Sequence, residues 1–145
     1  TAPLELNSRE LEEKGICGGE LMVYGNIPMM VTAQCLKKTL EGCTKRPELL
    51  WMKDRKGKEF PVKNHCRFCY NTIYNSNPLS LLSDRSLIER LGPSVLRFSF
   101  TTEQPERIRE VLNAFSEEFS SRKEGEESSQ LSGEFTRGHF KRGAE

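Results

Sequence analysis

The stretch SRELEEKGICGGELMVYG, residues 8–25, decides the fold class. Asn7 or Ser8 can cap a helix at its start, because their side-chain oxygens accept hydrogen bonds from the free amides of a first helical turn. Gly15 is typical of a helix end, since glycine readily adopts the left-handed backbone found there. The apolar run at residues 21–24 then predicts a buried strand. A helix followed by a strand across a short glycine-containing connection indicates an α/β fold.

Further strands and helices are predicted on both sides of this stretch. Residues 4–7 and 95–100 read as strands, and residues 83–91 and 105–121 read as amphipathic helices. Parallel strands need helices on both faces, and a complete β/α barrel takes at least about 200 residues. The 145-residue chain therefore fits the C-terminal portion of a β/α barrel of the TIM type. Because Thr1 stands where a whole protein has Met, we expect an N-terminal remainder of the barrel, or another subunit, as a partner.

Composition narrows the class of protein. Hydrophobic residues make up 35 % of the chain, charged residues 30 %, and the net charge is +1. This balance excludes a global attraction to nucleic acid or to an anionic membrane, so that any basic site must be local. No apolar run approaches the ~20 residues of a membrane span, and no membrane partner is predicted. Five cysteines, an odd number, without a visible secretion signal favour a reducing compartment and thus the cytoplasm.

Residues 27–77 interrupt the α/β pattern and hold four of the five cysteines. Residues 49–53 and 58–62 predict a β-hairpin with Gly57 at its turn, and residues 71–74 read as a further short strand. The segment therefore reads as an irregular, cysteine-rich β-hairpin insert. The predicted organisation is a partial β/α barrel over residues 1–122 with this insert at 27–77, a flexible linker over 123–134, and a basic-aromatic tail over 135–145.

The four cysteines of the insert are spaced as Cys35-x7-Cys43-x22-Cys66-x2-Cys69. One short turn can present the sulfurs of Cys66 and Cys69 to a single metal, and the intervening hairpin brings distant segments together, as in a zinc ribbon. Thiolates favour zinc or iron–sulfur clusters, and both take four cysteines. The alternative is that Cys35 and Cys43 lie buried as small apolar residues. Cys17, outside the insert, is expected to be structural.

Five stretches of the chain also match a known signature: ELMVYG (20–25), PMMVTAQCL (28–36), DRKGKEFPV (54–62), CRFCYNTIYN (66–75) and TRGHFKRG (136–143). An acidic residue opens a strand, a glycine ends it, and a cysteine, Cys35, follows. Because these features follow one another in this order, the chain resembles the collagenase-like peptidase family of bacterial proteins. The resemblance covers almost the whole chain.

The resemblance implies a β/α barrel. It also implies more about function than the spacing of the cysteines does. Some members of the family hold a four-iron cluster on four cysteines and act in RNA-base or ubiquinone-pathway hydroxylation, and others carry a protease or collagenase label. Cys35 matches the signature cysteine, and Cys43, Cys66 and Cys69 belong to the same insert. Their spacing departs from that of some relatives, so zinc stays open as the alternative to an iron–sulfur cluster.

Two residues at the end of the strand over residues 21–24 are candidates for catalysis. Chemistry in a β/α barrel collects at the C-terminal ends of the strands, where Tyr24 and Asn26 lie. Packing alone would also explain Tyr24. Glu20 opens the strand and therefore lies at the opposite end, where a salt bridge or a cap is its predicted role.

The tail interleaves cations with aromatic rings. Cations pair with phosphates and rings stack on bases, so this pattern predicts a contact with single-stranded RNA. An ordinary basic tail is the alternative. The residues concerned are Arg137, His139, Phe140, Lys141 and Arg142.

Three functions are therefore in competition. The first is a metal- or iron–sulfur-dependent enzyme that acts in RNA-base hydroxylation. The second is a peptidase, although the chain has no His-Glu-x-x-His, no Gly-x-Ser-x-Gly, and only two histidines. The third is a non-catalytic, zinc-stabilised module that binds RNA or protein.

Overall fold

The computed structural model describes residues 1–121 and 130–142, and these have the mixed α/β structure predicted. The predicted linker therefore lies largely outside the described residues. No helix in the described part of the chain is long and apolar enough to cross a membrane. The elements are α1 (Ser8–Lys14), β1 (Glu20–Gly25), β2 (Pro28–Thr32), α2 (Leu36–Leu40), β3 (Leu49–Lys53), β4 (Glu59–His65), β5 (Tyr70–Tyr74), β6 (Leu79–Ser80), a 3-10 turn (Leu82–Asp84), α3 (Arg85–Leu91), β7 (Val95–Ser99), α4 (Pro105–Ser116) and a π-helical turn (Glu117–Ser121).

The chain forms two compact units. Unit 1 comprises Thr1–Gly25 and Asn77–Glu145, and unit 2 comprises Asn26–Ser76. The bounds of unit 2 lie one residue from those of the predicted insert, residues 27–77. Unit 2 contains the same four cysteines.

At the start of unit 1, the predicted helix is confirmed and the predicted strand before it is wrong. The Asn7 side chain accepts a hydrogen bond from the Glu10 amide, and the Glu10 carboxylate accepts one from the Asn7 amide, which together cap α1. The helix ends at Gly15 in the left-handed conformation, φ 71°. Residues 4–6 form a turn rather than a strand. Leu4 and Leu6 are the only apolar residues of this short run, which is too little to determine a strand.

Unit 1 contains a three-stranded sheet of order β6-β1-β7. The strands β1 and β7 are parallel, whereas the two-residue β6, which the sequence did not predict, is antiparallel to β1. Gly25 permits a close approach of β1 to β7, since a Cβ atom there would lie 2.1 Å from the Ser99 carbonyl oxygen. At the other end of β1, Glu20 forms the predicted salt bridge, with Arg97 at 3.4 Å.

The core of unit 1 is formed by β1 and by the apolar stripes of α1, α3 and α4. The predicted stripe of the last helix is confirmed for Val111 and Phe115, which are buried, whereas Leu112 is exposed. Each aliphatic or aromatic side chain removed from water in this way contributes about 1.5–3 kcal/mol to folding before entropic costs. The buried members of the core of unit 1 include Leu11, Val23, Ile88, Val111 and Phe115.

Unit 2 is a four-stranded antiparallel sheet of order β2-β5-β4-β3. The predicted hairpin is confirmed: β3 pairs with β4, and Gly57 adopts a φ of +83° in their turn. The Asp54 carboxylate stabilises that turn by accepting the amides of Lys56 (2.8 Å) and Lys58 (2.9 Å). The short helix α2 and the edge strand β2 were not predicted, because five-residue elements are too short to show a period.

Candidate metal centre

The four cysteines of unit 2 lie on two segments. Cys35 precedes α2 and Cys43 follows it, whereas Cys66 and Cys69 lie in the turn between β4 and β5. Cys35 is buried, Cys66 is half-buried, and the other two are exposed. Cys69 adopts a φ of +55°, which is uncommon for a residue with a side chain, so this turn is tight.

The pKa of Cys66 is affected by the other three thiols of unit 2. Burial raises the pKa of the Cys66 thiol, and the charges of Cys43, Cys35 and Cys69 raise this pKa further, because a neighbouring thiolate opposes the ionisation of Cys66. A hydrogen bond with Asn64 acts in the opposite direction. Cys35, Cys43 and Cys69 therefore each lie within electrostatic reach of Cys66, whereas Cys17 belongs to unit 1.

Two of the thiols are placed as hydrogen-bond donors. The single S–H of Cys66 has two acceptors within reach, the Arg46 carbonyl (2.7 Å) and Asn64 Oδ1 (3.0 Å), and Cys69 Sγ donates to the Cys66 carbonyl (3.8 Å). Among residues 1–121 and 130–142, no group of three or more His, Cys, Asp or Glu side chains stands at metal-binding spacing. Coordination would therefore require the thiols to lose their protons and to turn toward one another.

The side-chain amide of Asn64 is the most informative polar group beside the thiols. Asn64 is 1 % exposed, and its Nδ2 donor has no hydrogen-bond partner among the described residues. A buried donor of this kind destabilises the fold by about 1–3 kcal/mol. If Cys66 were a thiolate, rotation of the amide would let Nδ2 donate to Sγ, and the same rotation would satisfy both groups. After that rotation, Asn64 Nδ2 would face the sulfur of a metal-bound Cys66.

A salt-bridged cluster holds the Cys35–Cys43 segment against β4. The Lys37 ammonium of α2 contacts Glu41 (2.5 Å) and Glu48 (3.0 Å), and hydrogen bonds with both carboxylates raise the pKa of Lys37. The same contact with Lys37 lowers the pKa of Glu48, whose side chain also accepts from Thr44 at 3.0 Å. The Glu48 carbonyl accepts the amide of Asn64 (3.1 Å). The two cysteine-bearing segments are therefore connected through Lys37, Glu48 and Asn64.

A cavity of about 610 Å³ adjoins the thiols. The His65 ring beside it stacks on Tyr70 with centroids 4.3 Å apart, and its Nε2 lies 3.2 Å from Thr72 Oγ1. These contacts account for one face of the His65 ring and for its Nε2. The residues lining the cavity include Cys43, Cys66, Cys69, Lys45, Lys63, Arg67 and Phe68.

The two catalytic candidates, Tyr24 and Asn26, lie in different units. Tyr24 is 1 % exposed in unit 1, with its ring centroid 5.6 Å from that of Phe100 and 6.3 Å from that of Phe135. Burial raises the pKa of Tyr24, while a hydrogen bond with Arg107 opposes this shift. Asn26 is buried in unit 2, where its Nδ2 donates to the Asn75 carbonyl at 3.0 Å. Tyr24 therefore has the environment of a core residue, which supports the packing alternative.

The predicted tail is folded onto unit 1. Thr136 forms a parallel bridge with Leu79, and the Phe140 carbonyl accepts the Ser8 amide at 2.8 Å. Phe140 is 5 % exposed, so the predicted stacking of a base on this ring is wrong: the ring is buried in unit 1.

The basic residues of the tail keep their exposed positions, but two of them contact an acid. The nitrogens of Arg137 (Nε, 3.0 Å) and Lys141 (Nζ, 3.6 Å) lie near the buried Asp84 carboxylate, as ion pairs. Because Asp84 compensates part of their charge, the attraction of this segment for phosphate is reduced. His139 and Arg142 are also exposed.

Comparison with known proteins adds no assignment: no protein-family model, no curated protein and no solved structure matches this chain. The function must therefore be argued from the site itself. Sequence reasoning missed one member of that site, Asn64, although its position two residues before Cys66 is a local signal that could have identified it.

Proposed function

We propose that Cys35, Cys43, Cys66 and Cys69 ligate one metal centre, most simply a four-iron cluster. The observation that carries this proposal is that Cys43, Cys66 and Cys69 line one cavity beside a buried amide donor that has no partner among the described residues. Cys35 lies within electrostatic reach of Cys66. Four soft sulfur donors suit an iron–sulfur cluster or zinc, and neither requires a further ligand from the protein. The donor set and the Asn64 amide therefore fit such a centre.

The residues around the thiols have distinct roles in this proposal. The four sulfurs bind the metal, Asn64 donates a hydrogen bond to the Cys66 sulfur, and the Lys37–Glu48 pair holds Cys35 and Cys43 in position. A four-iron cluster supplies one-electron transfer when it is bound. We propose that the chain serves RNA-base hydroxylation in the cytoplasm, in line with its resemblance to the collagenase-like peptidase family.

The proposal includes a larger assembly. The parallel pair of β1 and β7, with α3 between them in the chain, is the kind of unit from which a β/α barrel is built. We propose that unit 1 is the C-terminal portion of such a barrel and that its partner supplies the remaining strands. The antiparallel β6 is a departure from the simple repeat. The exposed Val95 of β7 lies on an edge of the sheet where a further strand could pair.

A zinc-stabilised module without catalysis is the second candidate. The small antiparallel sheet of unit 2 favours it, because zinc ribbons place their ligands on a similar hairpin. In this case the four cysteines would form a closed structural site.

Metal analysis of single cysteine variants tests the proposal. We expect anaerobically purified protein to contain iron and labile sulfide, and each of the four Cys→Ser changes in unit 2 to lower the metal content strongly, because an incomplete site loses affinity. The matched control is Cys17→Ser in unit 1, which should keep full metal content. Zinc without sulfide would favour the second candidate. Equal metal content in all five variants would show that the four cysteines of unit 2 do not share one metal site.

A further inference from the structure

The charges of this protein are divided between its two units. Residues 26–76 carry ten Lys and Arg but four Asp and Glu, a net charge of +6, whereas the remaining residues carry twelve and seventeen, a net charge of −5. The overall charge of +1 conceals this division. A surface with an excess of six positive charges over 51 residues attracts polyanions at physiological ionic strength.

Exposed aromatic rings accompany these cations. Trp51 is 55 % exposed and Phe68 is 68 % exposed. Exposed rings of this size offer flat apolar surfaces on which a ligand with a π-face can stack. Arg67 lies over the Phe68 ring at 5.5 Å, and the centroid of that ring is 6.4 Å from that of Tyr70.

The strand register places rings and cations on one face of the sheet. Side chains alternate along a strand, and residues directly paired across strands share a face. Leu49 pairs with Lys63 and His65 pairs with Tyr70, so Trp51, Lys63 and the His65–Tyr70 stack all belong to one face. The cavity next to the thiols is lined by Lys45, Lys63, Arg67 and Phe68 as well as by Cys43, Cys66 and Cys69. These cations and the Phe68 ring therefore lie together beside the proposed metal ligands, and Lys63 connects them to the face that carries Trp51.

We propose that this face of unit 2 binds single-stranded RNA, with bases stacked on Trp51 and Phe68 and phosphates paired with Lys45, Lys63 and Arg67. Stacking rings next to unpaired cations is the combination that single strands require, whereas a duplex hides its base faces. The cations of the C-terminal segment are less suited, because Asp84 already compensates Arg137 and Lys141. The inference rests on the proposed function only in the choice of RNA, since these charges and rings are present without a metal.

Binding of a fluorescein-labelled, unstructured 12-nucleotide RNA to the whole chain tests this inference by anisotropy across salt concentrations. Neutralising Lys63 and Arg67 together with Gln should weaken binding and lower the slope of log affinity against log salt by roughly 1.4, at about 0.7 per lost phosphate contact. The matched control neutralises Lys14 and Arg109, exposed cations of unit 1, and should keep the slope.

The ring contact has its own test. Trp51→Ala should weaken binding about tenfold with the slope unchanged, because stacking releases no counterions, and Trp51→Phe should retain most of the affinity. Trp51 is the only tryptophan, so RNA should quench the fluorescence of the wild-type protein directly.

Three results would overturn the inference: no binding, an equal loss of slope in the unit 1 control, or competition by duplex RNA or polyglutamate as effective as that by single-stranded RNA. Metal content measured on the same samples separates the two proposals. RNA binding without metal would overturn the proposed metal centre alone. Metal without RNA binding would overturn the proposed RNA-binding role of this face alone.

Discussion

At the scale of single residues, the orientation of the Asn64 amide depends on the protonation of Cys66. Its oxygen now faces the thiol at 3.0 Å, and its nitrogen lacks a partner among the described residues. If Cys66 were a metal-bound thiolate, the amide would instead turn its nitrogen toward the sulfur. We expect Asn64→Ala to weaken metal binding about 10–100-fold, the usual effect of losing a hydrogen bond to a ligand. Competition with a chelator measures this change.

Asn26→Ala is the control for the Asn64 prediction. Asn26 is also a buried amide of unit 2, but it donates to the Asn75 carbonyl and not to a thiol. Its loss should lower the free energy of unfolding while metal affinity in the folded protein stays near the wild-type value. If both variants lost metal equally, general destabilisation would explain the effect, and the role assigned to Asn64 would be wrong.

At the scale of elements, the contact between α2 and the segment before β3 should depend on pH. The folded pKa of Glu48 lies below its ordinary value of 4.5, so its contribution to stability is complete above that pH and is lost as the pH falls through the lowered pKa. The folded pKa of Lys37 lies above 10.5, so its contribution is complete below that pH and is lost at higher pH. We therefore expect a broad stability plateau between these limits.

Thermal melting of metal-free protein at several pH values checks this dependence, because without a metal the protonation of the thiols at low pH cannot release a ligand and thereby change the stability. Glu48→Gln should lower the melting temperature at neutral pH and reduce its fall toward pH 3. Glu59→Gln is the matched control, since Glu59 contacts Lys53 only at 3.9 Å on the exposed hairpin. A Glu48→Gln variant that melts and titrates like the wild type would show that the cluster does not hold α2.

At the scale of the whole molecule, metal removal should affect the two units differently. The compact core of unit 1 contains no proposed ligand, whereas unit 2 is a small sheet with exposed edges and many exposed apolar side chains. We expect a chelator to lower the thermal transition of unit 2, reported by the fluorescence of Trp51, while the helical circular dichroism of unit 1 melts as before. One shared transition that moves as a whole would contradict this expectation.

Interactions between residues close together in the chain determined much of the secondary structure of this protein. The capped helix α1, the strand β1, the hairpin of β3 and β4, and the helix α4 could be predicted because each depends on neighbours in the chain: a cap, an apolar run, a turn glycine or a stripe. The grouping of the four cysteines in one segment could be predicted from spacing. The strand at residues 4–7 failed because two or three apolar residues do not determine an element without a partner strand.

What only the tertiary structure decided involves residues far apart in the chain. Sequence alone could not place Phe140 in the core of unit 1 or pair Asp84 with Arg137. Burial and pairing are properties of three-dimensional neighbours, and a linear pattern specifies them only where those neighbours are also close in sequence.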